Sequence, residues 1–411
     1  MKTTLEQPIS LSVTNSSGRA LEVLVVFTRL GLTSFGGPVA HLGYFSEEFV
    51  TRRQWVDATT YADVVALAQF LPGPASSQVS IALGTMRAGV LGGLAAWCGF
   101  TLPSAAALTV FALGLNLMGT LTERSWLHGL MVVAVAVVAQ AVWGMAKNLC
   151  PDRLTGTIAL LAASLVLVWP SASAQLTVLV AGGLAGKQLL ASKANGSPPE
   201  LPIRVPRALS VASVVLLLLG LMGLPALAAA TSSHAVALFA AFFRAGSLVF
   251  GGGHVVLPLL ESYVVTPGWV TTDQFMAGYG AAQAVPGPLL TFSAYLGAIG
   301  GPAPHGVVGA AVALVAIFLP SFLLLWAALP VWGWLRALPW AQAALAGVNA
   351  AVVGLLLAAL YDPVITSAIR GPRDVVLALG AFGALQLWKA PPWAVVVVTA
   401  LVAGVVGVVA P

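Results

Sequence analysis

Charged side chains are scarce in this sequence of 411 residues. Only 8% of the residues are Asp, Glu, Lys or Arg, whereas 59% are hydrophobic. A soluble domain carries about 25% charged residues, so a water-soluble globular fold is excluded. Apolar runs of about 18 residues or more, long enough to cross the hydrocarbon of a bilayer, recur along the chain. The sequence therefore predicts an all-α polytopic membrane protein.

Cysteine is almost absent, and so are the motifs of cofactor-dependent enzymes. Cys98 and Cys150 stand far apart, which excludes a disulfide framework and a cysteine metal site. The chain has no Walker lysine loop, no haem-spaced histidine pair and no dinucleotide fingerprint. We therefore expect no cofactor, no metal and no ATP hydrolysis, and a membrane redox enzyme is disfavoured. The net charge of +5 is attributed to cytoplasmic loops and not to nucleic-acid binding.

Two parts of the chain repeat one another. The repeated motifs are FTRLGLTSFGGP at 27–38 with FFRAGSLVFGGG at 242–253, PGP at 72–74 with PGP at 286–288, and LPS at 102–104 with LPS at 319–321. The offset is 215 residues from Phe35 to Phe250 and 214 residues from Pro72 to Pro286. Shared order and nearly constant spacing indicate a tandem duplication of one membrane unit.

A basic, Pro-rich linker separates the two copies, and one unmatched apolar segment follows it. The positive-inside rule places the linker in the cytoplasm. One unmatched helix puts the copies in opposite orientation, the inverted-repeat design of many secondary transporters. The predicted parts are a cytoplasmic tail (1–19), an N-terminal membrane repeat (20–190), a cytoplasmic linker (191–207), a linking transmembrane helix (208–230) and a C-terminal membrane repeat (231–411).

Gly or Pro interrupts two apolar stretches in each copy. These stretches are 20–50 and 61–85 in the first copy, and 235–263 and 272–298 in the second. If each stretch crosses the membrane, the chain has thirteen spans and five of the Lys and Arg residues outside the cytoplasm. If each dips in and returns, three lie outside. The charge bias favours re-entrant helices but leaves full spans open.

The interruptions are predicted to bind an anion. Each marks the end of one half-helix and the start of another, whose N-terminus offers unpaired N–H groups and about half a positive charge. Arginine, glutamine and hydroxyl side chains nearby add donors, and inversion is expected to bring them together near the midplane. The candidate substrate-binding residues are Arg29, Gly36, Gly37, Gln69, Pro72, Gly73, Pro74, Ser76 and Ser77 in the first copy, and Arg244, Gly251, Gly252, Gln283, Pro286, Gly287, Pro288 and Thr291 in the second.

Each of these features also has a structural interpretation. A single Pro-Gly-Pro is commonly a helix kink, Gly-Gly pairs serve helix packing, and a lone arginine can snorkel to an interface. Recurrence in both copies favours binding for these motifs, whereas Ser104 and Ser321, which follow proline, are attributed to local kinks. The candidate proton-coupling groups are His41, Glu48, Asp63, His254 and Glu261, although a solvated hairpin flank is the simpler explanation for each of them.

The duplicated Phe-Gly-Gly with its upstream Arg, followed by Pro-Gly-Pro and Leu-Pro-Ser, resembles the chromate ion transporter family in its long, two-domain bacterial form. The resemblance covers residues 20–120 and 235–335 and departs at Gly253, which stands where Pro38 does. It implies a secondary transporter, not an enzyme, that exports chromate or a related tetrahedral oxyanion through the bacterial inner membrane and gives chromate resistance. It also implies kinship with sulfate handling.

The expected partners are a chromate- or sulfate-like dianion and the lipid bilayer. A second copy of the chain in a homodimer is also expected, because inverted-repeat carriers commonly dimerise. Import of sulfate or another oxyanion and a passive anion channel remain the alternatives.

Overall fold

The computed structural model of the protein describes residues 16–118, 125–190, 205–249, 256–336 and 338–409. Within these ranges all regular structure is helical, as predicted. The helices that are long and apolar enough to cross a membrane include Ala75–Leu117, Ser125–Leu149, Arg207–Thr231, Gly306–Trp334 and Pro339–Ala368. The fold is that of an all-α polytopic membrane protein.

The first repeat runs from α1 to α7. Its helices are α1 (Ser16–Thr33), α2 (Gly37–Ser46) with a π-helical extension (Glu47–Arg52), α3 (Ala58–Phe70), α4 (Ala75–Met118), α5 (Ser125–Leu149), α6 (Arg153–Val168) and α7 (Ala172–Leu189). Non-helical backbone at Ala88 and Gly89 divides α4 into a first arm, 75–87, and a second arm, 90–118. The arms fold back on each other, because a side chain on Gly84 or Gly92 would overlap the carbonyl oxygen of the other.

The linking helix and the second repeat follow the same plan. They comprise α8 (Arg207–Thr231), α9 (His234–Leu248), α10 (Val256–Val264), α11 (Thr272–Ala284), a 3-10 turn (Leu289–Thr291), α12 (Phe292–Ile299), α13 (Gly306–Ala328), a 3-10 turn (Leu329–Val331), α14 (Trp332–Arg336), α15 (Pro339–Ala359), a π-helical turn (Leu360–Ile365), α16 (Thr366–Ala368), α17 (Pro372–Gln386) and α18 (Pro392–Val409). The order of elements matches the first repeat, with α12 in the place of the first arm of α4.

The two broken segments of the first repeat enter and leave on the same side. Glu22, near the start of α1, lies 2.9 Å from Arg87 at the end of the first arm of α4 and 3.8 Å from Arg53 beyond the π-helix. The Arg53 and Arg87 guanidinium groups lie 5.9 and 5.0 Å from the centroid of the Trp55 ring. Both broken segments begin and end in this one cluster of side chains. Each therefore enters and returns to the same side, so both segments are re-entrant hairpins. We call Glu22, Glu48, Arg52, Arg53 and Arg87 the ionic rim.

The second repeat has an equivalent base built around a histidine. His234, at the start of α9, packs its ring 4.6 Å from that of Trp269, which lies between α10 and α11. Gly301, just after α12, sits against His234, since a Cβ there would lie 3.2 Å from Nε2. We call His234, Trp269 and Gly301 the histidine rim. The described hairpin arms of the second repeat also begin and end together.

The second arm of α4 shows that the two rims lie at opposite ends of the molecule. The arm begins beside Arg87 in the ionic rim. Near its other end, Asn116 Nδ2 donates to the carbonyl oxygen of Ala298 in α12, 3.4 Å away, two residues before the loop that leads to Gly301. The 29 residues from Arg87 to Asn116 span about 40 Å at 1.5 Å per residue. The repeats therefore insert from opposite sides, which confirms the inverted topology.

The last two helices of each repeat pack on the second full span of the other, which is α5 in the first repeat and α15 in the second. α6 and α7 pack on α15, while α17 and α18 pack on α5. The contact is close, because a side chain on Gly347 would overlap the backbone of Gly182, and one on Gly129 would lie 2.8 Å from the Cα of Ala400. We call this exchange the cross-repeat clasp. It joins the two repeats into one body.

Candidate functional site

The interruptions predicted from the sequence are helix breaks in the structure. α1 ends at Thr33 and α2 begins at Gly37, with φ of +102° at Gly36 and +76° at Gly37. The other breaks separate α3 from α4 at residues 71–74 and α11 from the 3-10 turn at residues 285–288. The break after Val249 falls at residues 250–255, so Gly251, Gly252 and His254 lie outside the described residues.

Gly73 forms one contact between the repeats, which we call the first junction. Its N–H donates to the carbonyl oxygen of Val249, at 2.5 Å. Its φ is +124°, and a Cβ there would lie 3.3 Å from Ser321 Oγ. A break in the first repeat thus meets two residues of the second, one at the end of α9 and one in the middle of α13.

Gly287 forms the second junction as the mirror of the first. Its N–H donates to the carbonyl oxygen of Ser34, 2.9 Å away, and its φ is +97°. A Cβ at Gly287 would lie 2.9 Å from Ser104 Oγ and 3.1 Å from the carbonyl oxygen of Phe100. Gly287, Ser34 and Ser104 occupy in the alignment the places of Gly73, Val249 and Ser321. The described breaks of both repeats therefore come together at the middle of α4 and α13.

Buried polar atoms at the two junctions have no hydrogen-bond partner. The groups that can donate are the hydroxyls of Ser34, Ser77, Thr101, Ser293 and Ser321 and the Nε2 of Gln283, and the acceptors are Gln78 Oε1 and His41 Nδ1. Most buried polar groups in proteins are paired, because an unpaired one loses its hydration without compensation. These six donors lie on the segments that form the two junctions, and together with the N-termini of α2 and α4 they offer the groups that bind a buried anion.

Several of these buried, unpaired residues were not among the substrate-binding candidates predicted from the sequence. Gln78 is fully buried. It is the last residue of a short polar run, Ser76-Ser77-Gln78, in an otherwise apolar helix, and this run could have identified it from the sequence. Ser321 was attributed to a kink, yet its hydroxyl is unpaired at the first junction. Ser104 does bond locally, donating to the Thr101 carbonyl oxygen at 3.0 Å. The two serines are equivalent in the alignment but not in their bonding.

No described contact joins Arg29 to Arg244, the two arginines that the sequence predicts to lie together near the midplane. Arg29 is exposed on α1, because the helix buries the face of Val23, Phe27 and Leu30 against α4 and turns Arg29 outward. Arg244 is half-buried, with its guanidinium carbon 5.9 Å from the centroid of the Tyr263 ring. Neither arginine has a described contact with the junctions.

The neutral candidates divide into buried and exposed groups. Ser76 and Ser77 are buried in the first turn of α4, whereas Gln69 is exposed and Gln283 is half-buried. Thr291 is buried, but its hydroxyl donates to the Pro288 carbonyl oxygen at 2.7 Å and is already paired. Pro72, Pro74, Pro286 and Pro288 shape the two breaks, since Gly73 and Gly287 lie between them.

The titratable candidates lie at different depths. His41 is buried, with Nε2 3.2 Å from the Ser34 carbonyl oxygen, close to the second junction. Glu48 is buried in the ionic rim, 2.6 Å from Arg53 Nε and 3.2 Å from Arg52 Nη1. Burial alone would raise the pKa of Glu48, but the two arginines hold it below its usual value. Asp63 is buried on α3, and Glu261 is half-buried on α10.

No three His, Cys, Asp or Glu side chains among the described residues group in a way that could hold a metal ion. A cavity of about 380 Å³ lies beside the second junction, between α4, α5, α11 and α18. Its lining is apolar and includes Val285, the residue before the Pro-Gly-Pro break.

Comparison with known proteins gives the same two units as the internal alignment. The family described as chromate transporter matches the chain twice, over residues 21–187 and 236–408. The chain is 29% identical to a chromate transport protein of Pseudomonas aeruginosa over 93% of its length and 90% of that protein. It is 30% identical to one of Cupriavidus metallidurans, over 89% of its length and 87% of that protein.

A probable chromate transport protein of Synechococcus elongatus is 29% identical over 92% of this chain and 93% of its own length. No solved structure matches the chain. The family matches cover both repeats, including every break described above. The chain belongs to the chromate transporter family.

Proposed function

We propose that the protein is a secondary transporter that carries chromate, or a related tetrahedral oxyanion, out of the cytoplasm across the bacterial inner membrane. The anion binds where the first and second junctions meet. The observation that carries this proposal is the set of six unpaired, buried hydrogen-bond donors at the junctions. Family membership and the names of the relatives support chromate as the substrate.

The donors suit an oxyanion because every oxygen of such an ion can accept hydrogen bonds. Hydroxyl groups rotate to meet the oxygens, and the N-termini of α2 and α4 add the positive ends of two helix dipoles. These helix starts are not lipid-exposed loops, since Ser34, Gly73 and Ser77 are buried within the protein. Irregular backbone at membrane depth is tolerated in such protected positions.

Inverted hairpins give a route for alternating access. The junctions lie between the ionic rim and the histidine rim, which are at opposite ends of the second arm of α4. Movement of one pair of hairpins opens the junctions toward its own rim, and the repeated fold allows the same movement on the other side. The protein then carries its substrate without catalysing a reaction.

Export requires a driving force, and the membrane potential supplies one. A cell that is negative inside favours the exit of an anion by about 2.3 kcal/mol per charge for each 100 mV. A potential of ordinary size is sufficient to keep the cytoplasmic chromate concentration below the external one. Chromate resistance follows directly from this export.

The direct test is chromate flux through purified protein in oriented lipid vesicles, with and without an imposed potential. We expect flux that increases with a potential favouring anion exit, and loss of most of it in Ser321→Ala, which removes an unpaired donor. Ser164→Ala, at an exposed position on α6, is the matched control and is expected to transport normally. No chromate flux in the wild type, or equal flux in Ser321→Ala and Ser164→Ala, would refute the proposal.

The same vesicles distinguish the alternatives. A passive channel would pass anions down their gradient but would not show counterflow, in which an unlabelled anion trapped inside the vesicle drives accumulation of labelled anion. A sulfate importer would carry sulfate inward in preference to chromate. Either result would replace the proposed function.

A further inference from the structure

Gln78 is held in one orientation by the first junction. The side chain is fully buried on α4, and its Nε2 donates to the Pro72 carbonyl oxygen at 2.7 Å. A carbonyl oxygen only accepts hydrogen bonds, so the amide nitrogen must face Pro72 and the amide oxygen must face away from it. Gln78 Oε1 is buried and has no partner. The hydrogen bond to Pro72 thus fixes the orientation of an acceptor, Gln78 Oε1, in the first junction.

The surroundings of this acceptor form part of the proposed anion site. A side chain on Gly73 would overlap Gln78 Nε2 and would lie 3.3 Å from Ser321 Oγ, so the amide and this hydroxyl flank the same turn. Ser77 Oγ, one residue before Gln78, is also buried and unpaired. Hydroxyl groups can turn to donate or to accept, whereas Gln78 Oε1 can only accept. A guest that carries a hydroxyl group as well as several bare oxygens suits this junction, because it donates one hydrogen to Gln78 Oε1 and accepts from the serine hydroxyls.

The second junction repeats this arrangement with a different side chain. The Ser34 carbonyl oxygen accepts from Gly287 N–H and lies 3.2 Å from His41 Nε2, which must carry a hydrogen to bond to it. His41 Nδ1, on the other side of the ring, is buried and unpaired. Each junction therefore has one unpaired amide or imidazole atom in addition to unpaired hydroxyls.

We propose that the site takes a tetrahedral oxyanion in its singly protonated form, and that Gln78 Oε1 accepts the hydrogen of the anion's hydroxyl group. The proposal rests on the proposed function and specifies the form of the substrate. Chromate takes up a proton near neutral pH, whereas sulfate does so only in strong acid. A fully deprotonated dianion would place an acceptor oxygen against Gln78 Oε1 and leave both unpaired. Gln78 is thus a residue that separates chromate from sulfate.

Sites built to bond a substrate hydroxyl reject analogues that lack it far more strongly than apolar pockets reject an extra group. We therefore expect sulfate to compete at least about tenfold more weakly than chromate at neutral pH. The hydroxyl of Ser321 gives no such selectivity, because it donates equally well to either form of the anion.

The test measures chromate flux in vesicles at several pH values on the substrate side, with the potential clamped, for the wild type, Gln78→Met and the matched control Ser321→Ala. Wild-type flux at subsaturating chromate is expected to follow the singly protonated fraction, which falls about tenfold per pH unit well above the pKa of the ion. Gln78→Met is expected to flatten this profile and to raise competition by sulfate at least threefold. Ser321→Ala is expected to lower flux at every pH and to keep the wild-type slope.

Titration of the protein itself cannot produce that difference between the variants. The charged and titratable side chains on the described elements that pack against α4 include Arg19, Glu22 and Arg29 on α1, His41 and Tyr44 on α2, Tyr61 and Asp63 on α3, Asp273 and Tyr279 on α11 and Tyr295 on α12. Arg87 and Cys98 lie on α4 itself and His234 and Arg244 on α9, whereas α13 carries none. All of them are present in both variants, and neither Gln78 nor Ser321 titrates. A change of slope confined to Gln78→Met therefore reports on the proton of the substrate.

The wild-type measurements keep the proposal testable if Gln78→Met does not fold. A wild-type profile that is flat with pH, or sulfate that competes as well as chromate, would overturn the role of Gln78 while leaving chromate transport in place. Equal slopes in Gln78→Met and Ser321→Ala would do the same. Absence of chromate flux at every pH would instead refute the proposed function.

Discussion

A glycine, whose side chain is a single hydrogen atom, allows the two repeats to come into contact at each junction. Gly73 and Gly287 have φ of +124° and +97°, which residues with a Cβ rarely adopt. Both also donate their N–H to a carbonyl oxygen of the other repeat. Glycine is required here for conformation and for close approach together.

Gly287→Ala tests this requirement at one residue. The added Cβ would lie 2.9 Å from Ser104 Oγ with φ at a value unsuited to alanine, so we expect a loss of more than about 1 kcal/mol in stability. We also expect chromate flux to fall at least about tenfold, because a displacement of about 1 Å at a binding site has effects of that size or larger. Thermal unfolding in detergent and vesicle flux measure the two effects.

Gly144→Ala is the control for this change. Gly144 lies inside α5 with nothing within 4 Å of a Cβ, so alanine there is expected to leave flux unchanged and to stabilise the helix by up to about 1 kcal/mol. If Gly287→Ala behaved like Gly144→Ala, the second junction would not be a tight crossing.

At the residue scale the sequence predicted the breaks better than the side chains around them. Pro-Gly-Pro recurs in the apolar stretches of both copies, so the breaks at residues 71–74 and 285–288 could be predicted from the sequence. Which side chain faces a neighbouring repeat depends on packing that a single sequence does not display. For that reason Gln78 was missed, and Arg29 was expected near Arg244 although it is exposed on α1.

Among the elements, the re-entrant hairpins position the site. Element boundaries were close to the predicted ones; the linking helix α8, for example, was expected at 208–230 and spans Arg207–Thr231. Hydropathy could not separate a dip from a span, because both need the same apolar lengths. The contacts between Glu22, Arg53 and Arg87, which are distant in sequence, resolve the alternatives.

Cysteine labelling tests the hairpins in a variant without Cys98 and Cys150. We expect Arg52→Cys and Arg370→Cys to react with a membrane-impermeant maleimide from opposite sides. Arg52 belongs to the ionic rim, whereas Arg370 lies 3.9 Å from Asp273 at the start of α11, close to Trp269 of the histidine rim. The side chains of both arginines are more than half exposed, at 56% and 54%. Reaction of both positions from the same side would show full spans instead.

At the scale of the whole molecule, the cross-repeat clasp was not predicted from the sequence. Helix lengths and the duplication could be read from hydropathy and spacing. The choice of packing partner depends on surface shape, as where Gly347 meets Gly182 and Gly186. Nothing in the repeat alignment indicates that α6 and α7 leave their own repeat to pack on α15.

Division of the chain within the linker, residues 191–204, tests the clasp. We expect neither half alone to accumulate or transport, since α5 and α15 would each lack the helices that cover them. Co-expression of the two halves is expected to restore flux, and proteolysis of the intact protein at a site inserted in the linker should leave flux unchanged. Transport by one half alone would mean that the exchange is dispensable.

The paired crossings at Gly73 and Gly287 have a consequence for the origin of the fold. Gly73 of the first copy bonds to Val249 of the second. Their counterparts in the alignment, Gly287 and Ser34, bond to each other in the same way. Two separate copies of one repeat would form the same pair of bonds only with one copy upside down in the bilayer relative to the other. A single repeat that worked as such a dimer would have to insert in both directions, and a covalent connection through α8 removes that ambiguity.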